Sequence, residues 1–340
     1  MKTDRLVSLI TALFFLFNYK QGFSQDKKTT LFQQKDVLQI QIEANLKPLL
    51  KDRGENPTYH AATLSYRDDH AETVVLPIKV KVRGNFRRLS ENCGFPPLLL
   101  DFQKKKGKKT IFDHQNKLKL VTQCVKEDYV FHEYLVYEMY NLLTNLSFKA
   151  RLAQITYIDS LGKRKPETAY GFFIEDETDV AKRNRAKNYT NKNLASSLLD
   201  SAQMAMVAIF EYMIGNYDWS VPALHNIKIF TMTGKLFMPM PYDFDHAGIV
   251  EANYALPPPQ LEIASVRERL YRGLNYPPEV FQKVFDKFNN LKPQIYALYE
   301  GNPLLEAKYI KRTTKYLDEF YERINDPKAI KKYFVAGKLR

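Results

Sequence analysis

The chain has 340 residues, with 51 Lys and Arg against 38 Asp and Glu and a formal charge of +13. At 45 % hydrophobic and 26 % charged residues it has a globular composition, which excludes the disordered and fibrous classes. Two Cys exclude a Cys-only zinc site and a dense disulfide scaffold, and no apolar run reaches the roughly 18 residues of a membrane-spanning helix.

Residues 1–24 have the anatomy of a signal peptide. Lys2 and Arg5 precede the apolar stretch Leu6 to Phe17, and Gly22-Phe23-Ser24 supplies small residues at a cleavage site. The expectation is a secreted, periplasmic or cell-surface protein without a transmembrane segment. In such a compartment Cys93 and Cys124 are a candidate disulfide, whose geometry the sequence does not give. The basic residues are scattered along the chain, so no nucleic-acid partner is expected.

Residues 25–177 read as strand-rich. Val37 to Ile42, Ala62 to Tyr66 and Val74 to Val82 alternate, and Leu98 to Phe102 and Lys117 to Val121 are short apolar or alternating runs. Lys104 to Lys109 reads as a solvated hairpin tip. Asp128 to Leu143 is the first clear helix, and Ile155 to Ile158 with Gly171 to Ile174 forms a hairpin. Residues 178–340 read as helical. Leu198 to Ile214 is apolar almost all round and predicts a buried helix. Strands at Ile227 to Phe230 and Lys235 to Met238 are turned by Thr233-Gly234, and beyond Pro257-Pro258-Pro259 the remainder is expected to be helical.

The chemistry-bearing residues concentrate between Gly215 and Gly248. A buried helix delivers Asp218 into a loop, Asn226 follows at the start of a strand, and the second strand ends at Asp243-Phe244-Asp245. Carboxylate and amide oxygens are hard ligands that suit Mg²⁺ or Mn²⁺, with room left for phosphates. One base with several such ligands is what phosphoryl transfer uses, and helix–loop–strand–hairpin–strand–loop is the order of the protein-kinase catalytic core. The chain has no Gly-x-Gly-x-x-Gly loop and no His-Arg-Asp.

Gly215-Asn216-Tyr217-Asp218, His225-Asn226-Ile227-Lys228-Ile229-Phe230 and Met240-Pro241-Tyr242-Asp243-Phe244-Asp245 resemble the spore-coat-protein-H (CotH) kinase family. Lys81-Val82-Arg83-Gly84-Asn85 and Tyr170-Gly171-Phe172-Phe173-Ile174-Glu175 resemble its earlier strand ends. The resemblance implies an α+β, protein-kinase-like fold of two lobes, a strand-rich N-terminal lobe (25–177) and a helical C-terminal lobe (178–340). It implies a secreted kinase that moves the γ-phosphoryl group of ATP, with Mg²⁺ or Mn²⁺, to a protein hydroxyl. By motif, Asp218 would be catalytic, Asn226, Asp243 and Asp245 metal ligands, and Glu175 a neighbour of the nucleotide base. Arg83, Arg87 and Arg88, which flank Gly84, are candidate phosphate contacts or else a solvated turn. Kinase-like folds also hold the phosphates with a strand Lys braced by a helix Glu. Alternation puts Lys117 and Lys119 on one face, and the helix carries Glu133 and Glu138; Lys119, deeper in the strand, with Glu133 in the second turn is the expected pair. Two alternatives remain: a non-enzymatic surface or assembly protein on a degenerate fold, and a metal-dependent phosphohydrolase using Asp218, His225, Asp243 and His246.

Overall fold

The computed structural model describes residues 31–103, 107–232 and 236–335. The signal peptide expected over residues 1–24 lies outside these, as do Lys104–Lys106 of the expected hairpin tip and the Thr233-Gly234 turn with Lys235. Seven strands form a closed barrel: β1 (Leu38–Ala44), β2 (His60–Arg67), β3 (Thr73–Val82), β4 (Leu98–Asp101), β5 (Lys117–Thr122), β6 (Ala150–Asp159) and β7 (Glu167–Ile174). Their order is β1-β2-β3-β4-β5-β7-β6, antiparallel throughout except for the closure, where β6 pairs parallel to β1 with Leu38 opposite Ala153.

The barrel corrects the expected two-lobed protein-kinase-like fold. Alternation identifies each strand and its buried face, but it does not say which edges meet. Here Ile40, Ile42, Leu64, Ile78, Val80, Leu100, Leu118 and Ile155 point into one shared interior, and the sheet closes on itself around them. Gly171 permits the seam between β5, β7 and β6. A Cβ there would lie 2.6 Å from the Val121 carbonyl oxygen and 2.9 Å from Ile155 Cδ1.

The remaining elements are α1 (Leu46–Lys51), α2 (Asp128–Leu143), α3 (Glu177–Arg183), β8 (Lys187–Tyr189), α4 (Ser201–Ile214), β9 (Ile227–Thr231), β10 (Phe237–Pro241), α5 (Pro278–Ala297) and α6 (Ala307–Asn325). α2 is buried on nearly every side because it packs on β6 and β7 and also on α5. It is therefore the joint between the barrel and a second core built by α4, α5, α6 and the β8–β9–β10 sheet. The helical stretch expected from residue 260 starts only at Pro278, after an irregular segment whose Arg267 and Arg269 guanidinium groups cover the Tyr316 ring.

Cys93 and Cys124 form a disulfide with Cα atoms 4.7 Å apart. It ties the β3–β4 connection, which carries Arg83 and Arg87, to the segment joining β5 to α2.

Candidate functional site

The site begins where α4 stops. Gly215 ends the helix in the left-handed region (φ 70°), and a Cβ there would lie 2.4 Å from Tyr316 Oη and 2.7 Å from the Val266 carbonyl oxygen. Only glycine fits, and the chain turns sharply into Asn216-Tyr217-Asp218. Asn216 Oδ1 accepts the Asp218 N–H at 3.1 Å. Asp218 Oδ1 lies 2.6 Å from His225 Nε2, and Oδ2 accepts from Asn226 Nδ2 at 3.0 Å. The same Asn226 Nδ2 donates to the Asp218 carbonyl at 2.7 Å. With its nitrogen turned inward, Asn226 keeps Oδ1 without a hydrogen-bond partner among the described residues.

The β9–β10 hairpin brings the second half of the site alongside. Asn226 O accepts the Tyr242 N–H at 3.0 Å, so the loop after β10 starts beside Asn226. Asp243 follows with φ 64°, a strained conformation for a residue with a Cβ. Its N–H donates to Tyr137 Oη of α2 at 2.9 Å. The strain thus has an identifiable anchor, which aims the half-exposed Asp243 carboxylate back toward the barrel.

There it meets Arg87. This buried guanidinium reaches Glu133 through Nη1 at 3.0 Å, Asp243 through Nη2 at 3.3 Å and Asp245 through Nε at 3.2 Å. Glu133 is therefore paired with Arg87, which corrects the expected Lys119–Glu133 pair. Burial pushes the Glu133 carboxyl up to about 8 against the pull of Arg87, with Asp245 and Asp243 adding repulsion. Asp245 is likewise raised by burial, and Arg87 is held charged by the three acids around it.

Lys119 has a different environment. Its Nζ lies 5.4 Å from the Tyr242 ring centroid and 5.9 Å from that of Phe148, and it forms no ion pair among the described residues. Burial and then the nearby cations Arg83 and Lys228 lower its pKa to about 8, while Glu177 and Asp243 oppose them. Lys228 is itself bound to Glu177 at 2.7 Å. Arg83 has no side-chain hydrogen bond or ion pair among the described residues; its N–H pairs with Pro97 O at 2.9 Å. Three cations thus gather beside Asp243 with one carboxylate partner at contact distance. Such an arrangement is prepared for an anion.

Glu175 lies elsewhere. Its carboxylate accepts Arg183 Nε and Nη2, both at 2.9 Å, and the Lys149 N–H at 3.0 Å. Every oxygen is engaged in fastening β7 to α3 and to the start of β6, so its side chain is a brace where a base contact was expected. Asp245 is also turned away from its expected role, because its buried carboxylate is against Arg87.

No three His, Cys, Asp or Glu side chains among the described residues are arranged to hold a metal ion. Of the expected ligands, Asp243 and Asn226 fit a hard divalent cation: one is a half-exposed carboxylate with one oxygen on Arg87, and the other a carbonyl-type oxygen without a partner among the described residues. Asp245 does not fit. Arg87, expected as a phosphate contact, is instead the buried partner of Glu133, Asp243 and Asp245, a role that sequence reasoning missed together with Lys228. The available signal for the pairing was Glu133 within a helix rich in apolar and aromatic residues, which demands a partner without naming it.

No family model matches this chain, and no curated protein matches it.

Proposed function

We propose that this chain is a phosphotransferase that moves the γ-phosphoryl group of ATP, with Mg²⁺ or Mn²⁺, to a hydroxyl of a secreted or cell-surface protein. The observation that carries this reading is the cation group Lys119, Arg83 and Lys228 beside Asp243, with Lys119 partly buried and without an ion pair among the described residues. A partly buried amine next to two further cations is costly unless an anion completes it. Triphosphate oxygens meet that demand. The CotH-like motifs around Asp218, Asn226 and Asp243 support the same chemistry.

In this reading Lys119 and Arg83 bind phosphate oxygens, and Asn226 Oδ1 with Asp243 holds the divalent cation. That cation supplies charge neutralisation at the phosphates when bound. Asp218, fixed by Asn216, His225 and Asn226, accepts the hydrogen bond of the acceptor hydroxyl and aligns it for in-line attack. Arg87 holds Asp243 against Glu133 and so sets the distance between the cation group and the Asp218 loop.

A melting scan with ATP and Mg²⁺ or Mn²⁺ tests the reading. The wild type gains several degrees, Asp243→Ala gains none, and Asp218→Ala keeps the gain but loses transfer of labelled phosphate. Loss of binding in Asp218→Ala with binding kept in Asp243→Ala would reverse the roles. One observation favours a second reading, a non-enzymatic surface or assembly protein: the Arg87 guanidinium already neutralises Asp243 and Asp245. A wild type whose melting is indifferent to nucleotide and metal supports that alternative.

A further inference from the structure

Within the buried run of α4 stands one acid, Glu211, which is 1 % exposed. Neither of its carboxylate oxygens has a hydrogen-bond partner among the described residues, and neither does the buried Asn216 Nδ2. These orphan atoms belong to two residues joined through the main chain, since the Asn216 N–H donates to Glu211 O at 2.9 Å. The Asn216 side chain also lies near enough to the Glu211 carboxyl to influence its ionisation. Its Oδ1 accepts the Asp218 N–H at 3.1 Å, and the Asn216 main-chain oxygen accepts Trp219 Nε1–H at 3.2 Å. Asn216 therefore stands between a buried acid and the residue that faces the acceptor.

We propose that Glu211, in its uncharged form, is a positioning residue for Asp218: its carbonyl oxygen accepts a hydrogen bond from the Asn216 Nδ2–H, which locks Asn216 Oδ1 onto the Asp218 main chain. The inference rests on the reading of Asp218 as the group that aligns the hydroxyl. An amide held at one end only can rotate, and Asp218 would lose the bond that orients its loop. Held at both ends, it removes one orphan donor and one orphan acceptor from a sealed place, where an unpaired polar atom is costly.

Electrostatics agree with the uncharged form. Burial raises the Glu211 pKa to about 8; the Asn216 amide opposes that, Asp218 adds to it, and Arg272 opposes it. Asp218 from the loop and Arg272 from the segment before α5 are the charged groups that face it. Arg272 is engaged on the loop, with Nη1 donating to Tyr217 O at 2.6 Å, and does not pair with Glu211. Above pH 8 a second negative charge forms behind Asp218; the carboxylate still accepts from Asn216, but repulsion between it and Asp218 works against the loop's fixed geometry.

Glu211→Gln keeps both the acceptor and the neutrality, and Glu211→Met keeps the length and removes the acceptor. In the full chain, hydrogen exchange of the Asp218 amide at pH 7 should match the wild type in the Gln variant. In the Met variant it should be about tenfold faster, the worth of one buried hydrogen bond. Above pH 8 the wild type should lose Asp218 protection relative to the Gln variant, whose carboxamide does not ionise. Transfer from Mg-ATP should follow: a lower kcat with unchanged KM for ATP in the Met variant, and loss of the alkaline limb in the Gln variant. Unchanged Asp218 exchange in the Met variant overturns the proposal, as does a Gln variant that behaves like Met. Should the Met variant not fold, the pH dependence of wild type against Gln decides alone. A wild type that transfers no phosphate ends the phosphotransfer reading, while the exchange data still decide the role of Glu211.

Discussion

Lys119 is the residue at which stability and the proposed function oppose each other most directly. Its amine is partly buried beside Arg83 and Lys228, so the folded chain binds fewer protons there than the unfolded chain between pH 8 and the ordinary lysine value of about 10.4. This charge destabilises the fold at neutral pH, and stability rises as pH climbs through that window. Lys119→Met keeps the stem against Tyr242 and Phe148 and removes the charge. It should therefore raise stability by roughly 1–2 kcal/mol, discounted for partial exposure of the amine, as read from the urea midpoint. The same variant should abolish the nucleotide-dependent gain in melting temperature. In the wild type that gain should shrink as pH rises through about 8, because the neutral amine no longer attracts phosphate. A variant that loses both stability and binding would show that Lys119 is a structural residue.

At the scale of elements, the disulfide decides how firmly the Arg83–Arg87 segment is held. It closes a loop of 31 residues between the β3–β4 connection and the approach to α2. Replacing both Cys by Ser should cost about 3 kcal/mol in the chain-entropy model. Because Arg87 bridges Glu133 and Asp243, the double variant should also weaken nucleotide binding more than a remote change of equal cost; melting with and without Mg-ATP measures both. Much of this level was legible in the chain. The bounds read for α2, Asp128 to Leu143, coincide with the helix, and the alternating runs locate β1, β2 and β3, because period and flanking turns are local signals. The link from Asp218 to Asn226 was legible for the same reason, being only eight positions long. The Arg87 contacts span 46 and 156 positions, and no local pattern encodes them. Short elements such as α1 and α3 escaped because six or seven residues hold fewer than two turns of helical period.

On the scale of the whole molecule there are two cores, α2 belonging to the second and packing against β6 and β7 of the barrel, and the barrel that encloses the first is closed by one parallel pairing. The seam at Gly171 is tight enough that Gly171→Ala should lower stability by about 1–3 kcal/mol through overpacking, read as a lower urea midpoint with an unchanged slope. The parallel pairing itself joins Leu38 to Ala153, far apart in the chain. It also has a consequence in time. Strands β1 to β3 are consecutive antiparallel neighbours and can zip from their turns, whereas β1 cannot find β6 until all the intervening chain has been ordered or looped out. During refolding the outer edge of β1 therefore stands open and unpaired, a template for the same edge of another molecule. Pulse-labelled β1 amides that pair only with β6 should gain protection after those of β2 and β3. The yield of monomer should fall with protein concentration during refolding, long before the finished barrel shows any tendency to associate.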